Sequence, residues 1–213
     1  GVSRDVVDEA PARDILASLG LPLVSGALAE TPEAAAERAT EIPAPWVAKL
    51  AVSGLGHKGR VGGVRLGLST PEEVASACRE MAKAAADHGV STADVRFMVQ
   101  RMEFGPEILL GMFRDQVIGP SMIVGVGGWA AETGTIFAAV PLADGVDVVA
   151  DLTESQLPAL VGTERTAALG ELLHALGREF TTGELRDYQE VECNPVILTA
   201  QGPRIADALL VRH

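Results

Sequence analysis

EVECNPVILTAQGPRIAD, Glu190 to Asp207, sets oxygen-bearing side chains at strand spacing inside an apolar run. Glu192 and Asn194 alternate with Val191 and Cys193, so in an extended strand both leave the same face. Asp207 ends the next strand, one hairpin away. Two carboxylates and an amide oxygen suit a hard cation such as Mg²⁺, which completes its shell with nucleotide phosphates. The alternative is a polar strand face in water, which sits uneasily beside such apolar flanks.

A phosphate site needs its other half, and GLGHKGRVGGVRLGL, Gly54 to Leu68, is a candidate. Glycines let backbone N–H groups approach oxygen atoms closely, and Lys49 and Lys58 bring charge to the strand before the loop and to the loop itself. The pattern is not a Walker loop, because the G-x-x-x-x-G-K-[ST] spacing is absent and a strand rather than a helix follows. GVGGWA at 125–130 fits G-x-G-x-x-A, but ETGTIF after it carries no helical pattern, so a dinucleotide fold is set aside. A hairpin lid over a triphosphate remains, against the alternative of an exposed hairpin tip with solvated cations. His57 within it is a workable nucleophile near neutral pH, flanked by Lys58 and Arg60; otherwise it is a surface histidine.

The chain has 213 residues, 47% of them hydrophobic, enough for one large domain or two small lobes. A net charge of −12 argues against binding nucleic acid or an anionic membrane. No window reaches the roughly 18 apolar residues of a membrane span, and the acidic start lacks a signal pattern, so a cytoplasmic protein is expected. Cys78 and Cys193 lack the spacing of a metal or redox pair and are expected as buried free thiols, with a disulfide as the alternative.

Periodicity supplies the elements. A helix is expected from an imperfect stripe of Val6, Val7, Ala10, Ile15 and Leu19, stopping at Gly20. LPLVSGALA follows as a strand. Thr31-Pro32-Glu33 opens an alanine-rich helix, WVAKLAV and GGVRLGL are strands, and Thr70-Pro71-Glu72-Glu73 opens a third helix ending near His88-Gly89. DVRFMVQRM, EILLGMFRD and QVIGPSMIVGV read as successive strands, then one helix across 164–178, then EVECNPVILT and RIADALLV as two closing strands.

With these anchors in order, the chain resembles the ATP-grasp domain of the ADP-forming acyl-CoA synthetases, in the β subunit or its fused equivalent. Succinyl-CoA synthetase β chains are more distant likenesses. The resemblance rests on the lysine of WVAKLAV, the HK…GGVRLGL hairpin, VQRM followed by EILLG, the GPSMIVGVGG segment through Glu132, and ECNPV…IADA. It implies an α+β ATP-grasp fold over 1–213, with 1–20 and 94–213 as the larger lobe and about 21–93 as the smaller, gripping ATP between them. It implies Lys49 on the phosphates, Gly62 and Gly63 closing over them, the segment from Gln100 to Met102 against adenine, and Glu192, Asn194 and Asp207 on Mg²⁺. Glu103 and Glu107 face adenine or ribose on one reading and plain solvent on the other.

In that family, acid, CoA and ATP are interconverted with acyl-CoA, ADP and phosphate through an acyl phosphate, and a histidine on a CoA-binding partner carries the phosphoryl group. His57 matches a second histidine implicated in passing phosphate to or from the nucleotide, with Lys58 beside it. The chain carries no recognisable CoA site, so a CoA-binding, phosphohistidine-bearing partner subunit or domain is expected, in a hetero-oligomer. One departure stands out. Where the family continues through an F-R segment, this chain reads TGTIFAAVPL, and the usual arginine has become Ala138 or a neighbour. That departure keeps open a second function, a diverged nucleotide-binding or regulatory module of a longer protein.

Overall fold

Two antiparallel sheets organise the chain, each with one apolar face covered by helices. The computed structural model describes residues 5–52, 63–128, 131, 134–142 and 152–212. In chain order the elements begin with β1 (Asp5–Val7), α1 (Glu9–Ser18), β2 (Gly26–Ala29), α2 (Pro32–Thr40), β3 (Trp46–Ala51) and β4 (Val64–Leu68). They continue with α3 (Pro71–Asp87), β5 (Arg96–Arg101), β6 (Glu107–Asp115), β7 (Gly119–Val126) and β8 (Ile136–Pro141). Last come α4 (Leu157–Val161), α5 (Thr163–Thr181), β9 (Tyr188–Thr199), β10 (Gly202–Ile205) and β11 (Ala208–Arg212).

The larger sheet runs β1-β11-β9-β6-β7-β8, with β10 also on β9, and the smaller runs β2-β5-β3-β4. Each belongs to its own compact unit, Gly1–Leu23 with Glu103–His213 for the larger and Val24–Met102 for the smaller. The lobe boundary expected at residue 94 therefore falls after Met102. The reason is pairing: β5 bonds to β2 on one side and to β3 on the other, which commits it to the smaller sheet. At the other boundary, Leu23 bridges Ile205 and stays with the larger unit.

In the smaller unit, strand alternation sends Trp46, Ala48 and Leu50 of β3 and Phe97 and Val99 of β5 to one core, where Ala35, Ala39, Val74, Cys78 and Met81 of the helices meet them. Both helix starts follow the sequence signals. Thr31 accepts a hydrogen bond from Ala34 N–H at 3.1 Å. Thr70 and Glu73 form a capping box, with Glu73 N–H donating to Thr70 Oγ1 at 3.2 Å and Thr70 N–H to Glu73 Oε2 at 3.3 Å.

In the larger unit, Leu169, Leu172, Leu173, Leu176 and Phe180 of α5 share a core with Leu110, Met112, Met122, Val124, Val191, Cys193 and Leu210 of the sheet. Two expectations are corrected here. Val6 and Val7 do not open the first helix; they pair with Val211 and Leu210 as β1, a natural place for β-branched residues, and α1 starts at Glu9. RIADALLV is not one strand but two, β10 and β11, which run along the same edge of β9 and are separated by Ala206 and Asp207. Among the described residues no helix is long and apolar enough to cross a membrane.

Both cysteines are free and buried, and burial pushes each thiol up to about 12. A thiol titrating there is ionised to about one part in ten thousand at pH 8. The native protein is therefore expected to be silent toward an aromatic disulfide reagent at pH 8 and to release both thiols in guanidinium chloride. A fast native reaction would show that one of the two cores opens readily.

Candidate functional site

The larger unit brings Glu192, Asn194 and Asp207 together. On β9, Val191 and Cys193 point into the core while Glu192 and Asn194 leave the opposite face, where Asn194 Nδ2 lies 3.5 Å from Glu192 Oε1. Glu192 stands between Leu209 and Gly111 on the neighbouring strands. Asp207 sits in the two-residue link between β10 and β11, and its carbonyl accepts the Asn194 N–H at 3.1 Å, while Ala206 N–H donates to Pro195 O at 3.0 Å. Sequence spacing placed Asp207 at a strand end; the pairing places it directly across from Asn194.

The Asn194 amide is held from a third direction. Gly128 N–H donates to Asn194 Oδ1 at 2.8 Å, which fixes which end of the amide carries the oxygen. This contact explains the glycine doublet at 127–128. Gly128 has φ +62°, and a methyl group there would overlap the Glu107 carboxylate, while one on Gly127 would overlap the Ile108 backbone. Gly127 N–H in turn donates to Glu107 O at 2.9 Å. Glu107 thus stands beside the Asn194 cluster.

The donors this group presents are two carboxylates, Glu192 and Asp207, and the amide oxygen of Asn194, the oxygen type that Mg²⁺ prefers. Among the described residues no group of three or more His, Cys, Asp or Glu is placed to hold a metal. The carboxylates converge on the strand: Glu192 and Asp207 both add to the burial that raises the Cys193 thiol.

The smaller unit carries the other predicted residues. Lys49 and Gln100 lie on the face of the four-stranded sheet opposite to α2 and α3, yet are only 7% and 1% exposed. Lys49 pairs with Met98 and Val64, and Gln100 with Val47 and Gly26. Gly63 is buried and its carbonyl accepts Leu50 N–H at 2.8 Å, holding the return strand against β3. The N–H groups of Arg101 and Met102 donate to Ser25 O and Pro45 O, at 2.9 and 2.8 Å. Any base placed against this segment therefore meets side chains and carbonyl oxygens rather than those two N–H groups. His57, Lys58 and Gly62 lie outside the described residues.

The register of β8 separates two neighbouring alanines: Ala138 faces the core beside Val124, whereas Ala139, paired with Ile123 and exposed, is on the face shared with Glu192.

The sequence profile of the ATP-grasp domain matches residues 2–211, so the chain belongs to the ATP-grasp family and the α+β fold above is the ATP-grasp fold. A trans-feruloyl-CoA synthase from an unknown prokaryotic organism is 32% identical over 216 residues, covering 97% of this chain but 30% of the relative. The β subunit of ADP-forming acetate–CoA ligase I from Pyrococcus furiosus is 25% identical over 213 residues, covering 95% of this chain and 90% of that subunit. Among solved structures, the dinucleotide-forming acetyl-coenzyme A synthetase 1 of Candidatus Korarchaeum cryptofilum, in complex with coenzyme A, Ca-AMPCP and HgCl+, matches with a TM-score of 0.84 at 27% identity, over 98% of this chain and 93% of that one. The same enzyme with coenzyme A and Mg-AMPPCP, its phosphohistidine segment pointing towards the nucleotide binding site, matches with a TM-score of 0.76 at 26% identity, over the same shares. The resemblance to the ADP-forming acyl-CoA synthetases holds, and the chain spans about a third or less of the first relative's length.

Gly127→Ala is expected to destabilise the larger unit more than Gly134→Ala does. Gly134 has positive φ but open space, so alanine there costs about 1 kcal/mol of strain, whereas a methyl group on Gly127 meets the Ile108 backbone, which cannot swing aside. The backbone shift this forces also loosens the bond from Gly127 N–H to Glu107 O, about 1 kcal/mol more. Urea midpoints of the two variants measure the difference; equal midpoints would remove the packing argument.

Proposed function

We propose that this chain is the ATP-binding part of an ADP-forming acid–CoA ligase, and that Glu192, Asn194 and Asp207 hold Mg²⁺ for its nucleotide. The observation that carries the reading is the Asn194 amide, anchored by Gly128 N–H at 2.8 Å beside Glu192 and tied through its backbone to Asp207. An incomplete oxygen shell suits Mg²⁺, which keeps water and takes the rest from phosphates. When bound, the ion neutralises phosphate charge and orients the phosphoryl group for transfer.

The chain's own groups then divide the work. Lys49, a largely buried ammonium, offers a charge-assisted contact to phosphate oxygens. Gly62 and Gly63 let the hairpin lie close over them, and the segment from Gln100 to Met102 forms the wall for adenine, with Glu107 near the adenine or ribose. His57 receives the phosphoryl group from ATP and hands it onward, steadied by Lys58. The partner is a CoA-binding subunit or domain with its own phosphohistidine, in a hetero-oligomer or a longer chain, and the reaction runs in the cytoplasm. Support for a ligase over a purely regulatory module comes from the relatives, which are named as CoA ligases and synthetases.

Calorimetric titration tests the nucleotide reading. ATP and ADP are expected to bind with Mg²⁺, and Lys49→Ala to lose about 1.5–3 kcal/mol of binding free energy. A folded chain that gives no heat at millimolar nucleotide, alone or with its partner, contradicts the proposal.

A second test addresses the division of labour. The purified chain alone is expected to form no acyl-CoA from acid, CoA and ATP, whereas the reconstituted pair does. His57→Ala should abolish label exchange between ATP and ADP in that pair and leave nucleotide affinity within about threefold, because a neutral imidazole adds little to ground-state binding. Exchange at the unmutated rate would reduce His57 to a bystander.

A further inference from the structure

We propose that Arg13 is a positioning residue for Asp207, reaching from α1 to the link between β10 and β11; the proposal rests on the reading of Asp207 as a Mg²⁺ ligand. The buried stripe of α1 is Glu9, Ala12, Arg13 and Leu16, so two of its four inward positions carry charge. Glu9 is 6% exposed and Arg13 8%. Burying a guanidinium is costly unless its charge is matched and its donors engaged, and an aliphatic side chain would fill the stripe at lower cost. What stands against Arg13 is the functional cluster. Its Nη1 lies 3.5 Å from Ala206 O, the residue immediately before Asp207.

The carboxylates acting on Arg13 are those of Glu9, Asp207 and Asp14, and they oppose the burial that draws its pKa down. Glu9 precedes it by one helical turn, the spacing at which two side chains share a face. Arg13 therefore lies near a counter-ion on its own helix and near a carboxylate on the link between β10 and β11.

The place of Asp207 in the fold suits such a contact. The backbone of the link is tied to β9 by the Ala206 N–H and Asp207 C=O bonds, and Asp207 lies between β10 and β11 rather than within either. A carboxylate has about four acceptor positions, so an N–H donor can hold it in one rotamer and leave oxygen for a cation. The guanidinium also offsets the repulsion between Asp207 and Glu192, which share the neighbourhood of Cys193.

The test uses Mn²⁺ as a spectroscopic probe in the presence of ADP, with free and bound metal counted by electron paramagnetic resonance and metal-free ADP affinity measured alongside. Asp207→Asn is expected to weaken Mn²⁺ at least about tenfold, which checks the metal reading itself. Arg13→Met is expected to weaken Mn²⁺ about tenfold while metal-free ADP affinity stays within about twofold. Arg13→Lys should recover most of that loss, and Arg13→Met should add nothing in the Asp207→Asn background.

The outcomes separate cleanly. Unchanged Mn²⁺ affinity in Asp207→Asn overturns the metal reading and this inference with it. A weakened Asp207→Asn beside an unaffected Arg13→Met overturns the positioning role alone, as does an Arg13 effect that persists at full size without the Asp207 carboxylate. Parallel loss of metal-free ADP affinity would mark a general structural role. Should Arg13→Met fail to fold, Arg13→Gln, which keeps donors but no charge, provides the same readings.

Discussion

Pro195 has no N–H to give, and it lies in a strand that is paired on both edges. The ladder along β9 has to change around it. On one edge the register with β6 shifts between Ile108 and Leu110; on the other, the partner strand breaks into β10 and β11 at Ala206–Asp207. The two backbone bonds that survive there, from Asn194 N–H to Asp207 O and from Ala206 N–H to Pro195 O, hold the break in a fixed shape. Irregularity at this point is what frees Asn194 and Asp207 from an ordinary ladder and lets side chains from different strands face one space. Regular pairing would have spread them along a flat sheet.

Much of this was legible in the sequence because it is local. Thr31 and Thr70 announce their helices through caps that need only neighbouring residues, and the alternation of Val191, Glu192, Cys193 and Asn194 gives the face of each side chain from a period of two. What was misread depends on distant partners. Val6 and Val7 fit a weak helical stripe, yet β11 offers them a ladder, and β-branched residues take it. The lobe boundary slid from 94 to 102 because only the pairing of β5 with β2 and β3 decides which sheet owns it.

Charge in a core is harder to read still. Helical periodicity sorts charged residues to the solvent face, and Glu9 and Arg13 violate that rule together, one turn apart. The clue was present as two opposite charges at a spacing of four inside a stripe that also holds Ala12 and Leu16. Without knowing that α1 packs beside Ala206, nothing marked the pair as other than a surface ion pair. The same limit applies to Ala138: only the register of β8 with β7 shows that it turns to the core while Ala139 turns to the face of Glu192.

The glycines at 127 and 128 show how a motif can be right in composition and wrong in kind. GVGG has the spacing of a dinucleotide turn, where bare backbone approaches a pyrophosphate. Here the close approach is internal: Gly127 passes the Ile108 backbone and Gly128 the Glu107 carboxylate, so that one N–H arrives at Asn194 Oδ1. Donation from a backbone N–H to an oxygen is the chemistry in both cases, but the acceptor here is the protein's own amide. Held by that N–H, the Asn194 amide oxygen has a fixed orientation, and orientation of this kind is what a sequence pattern alone does not carry.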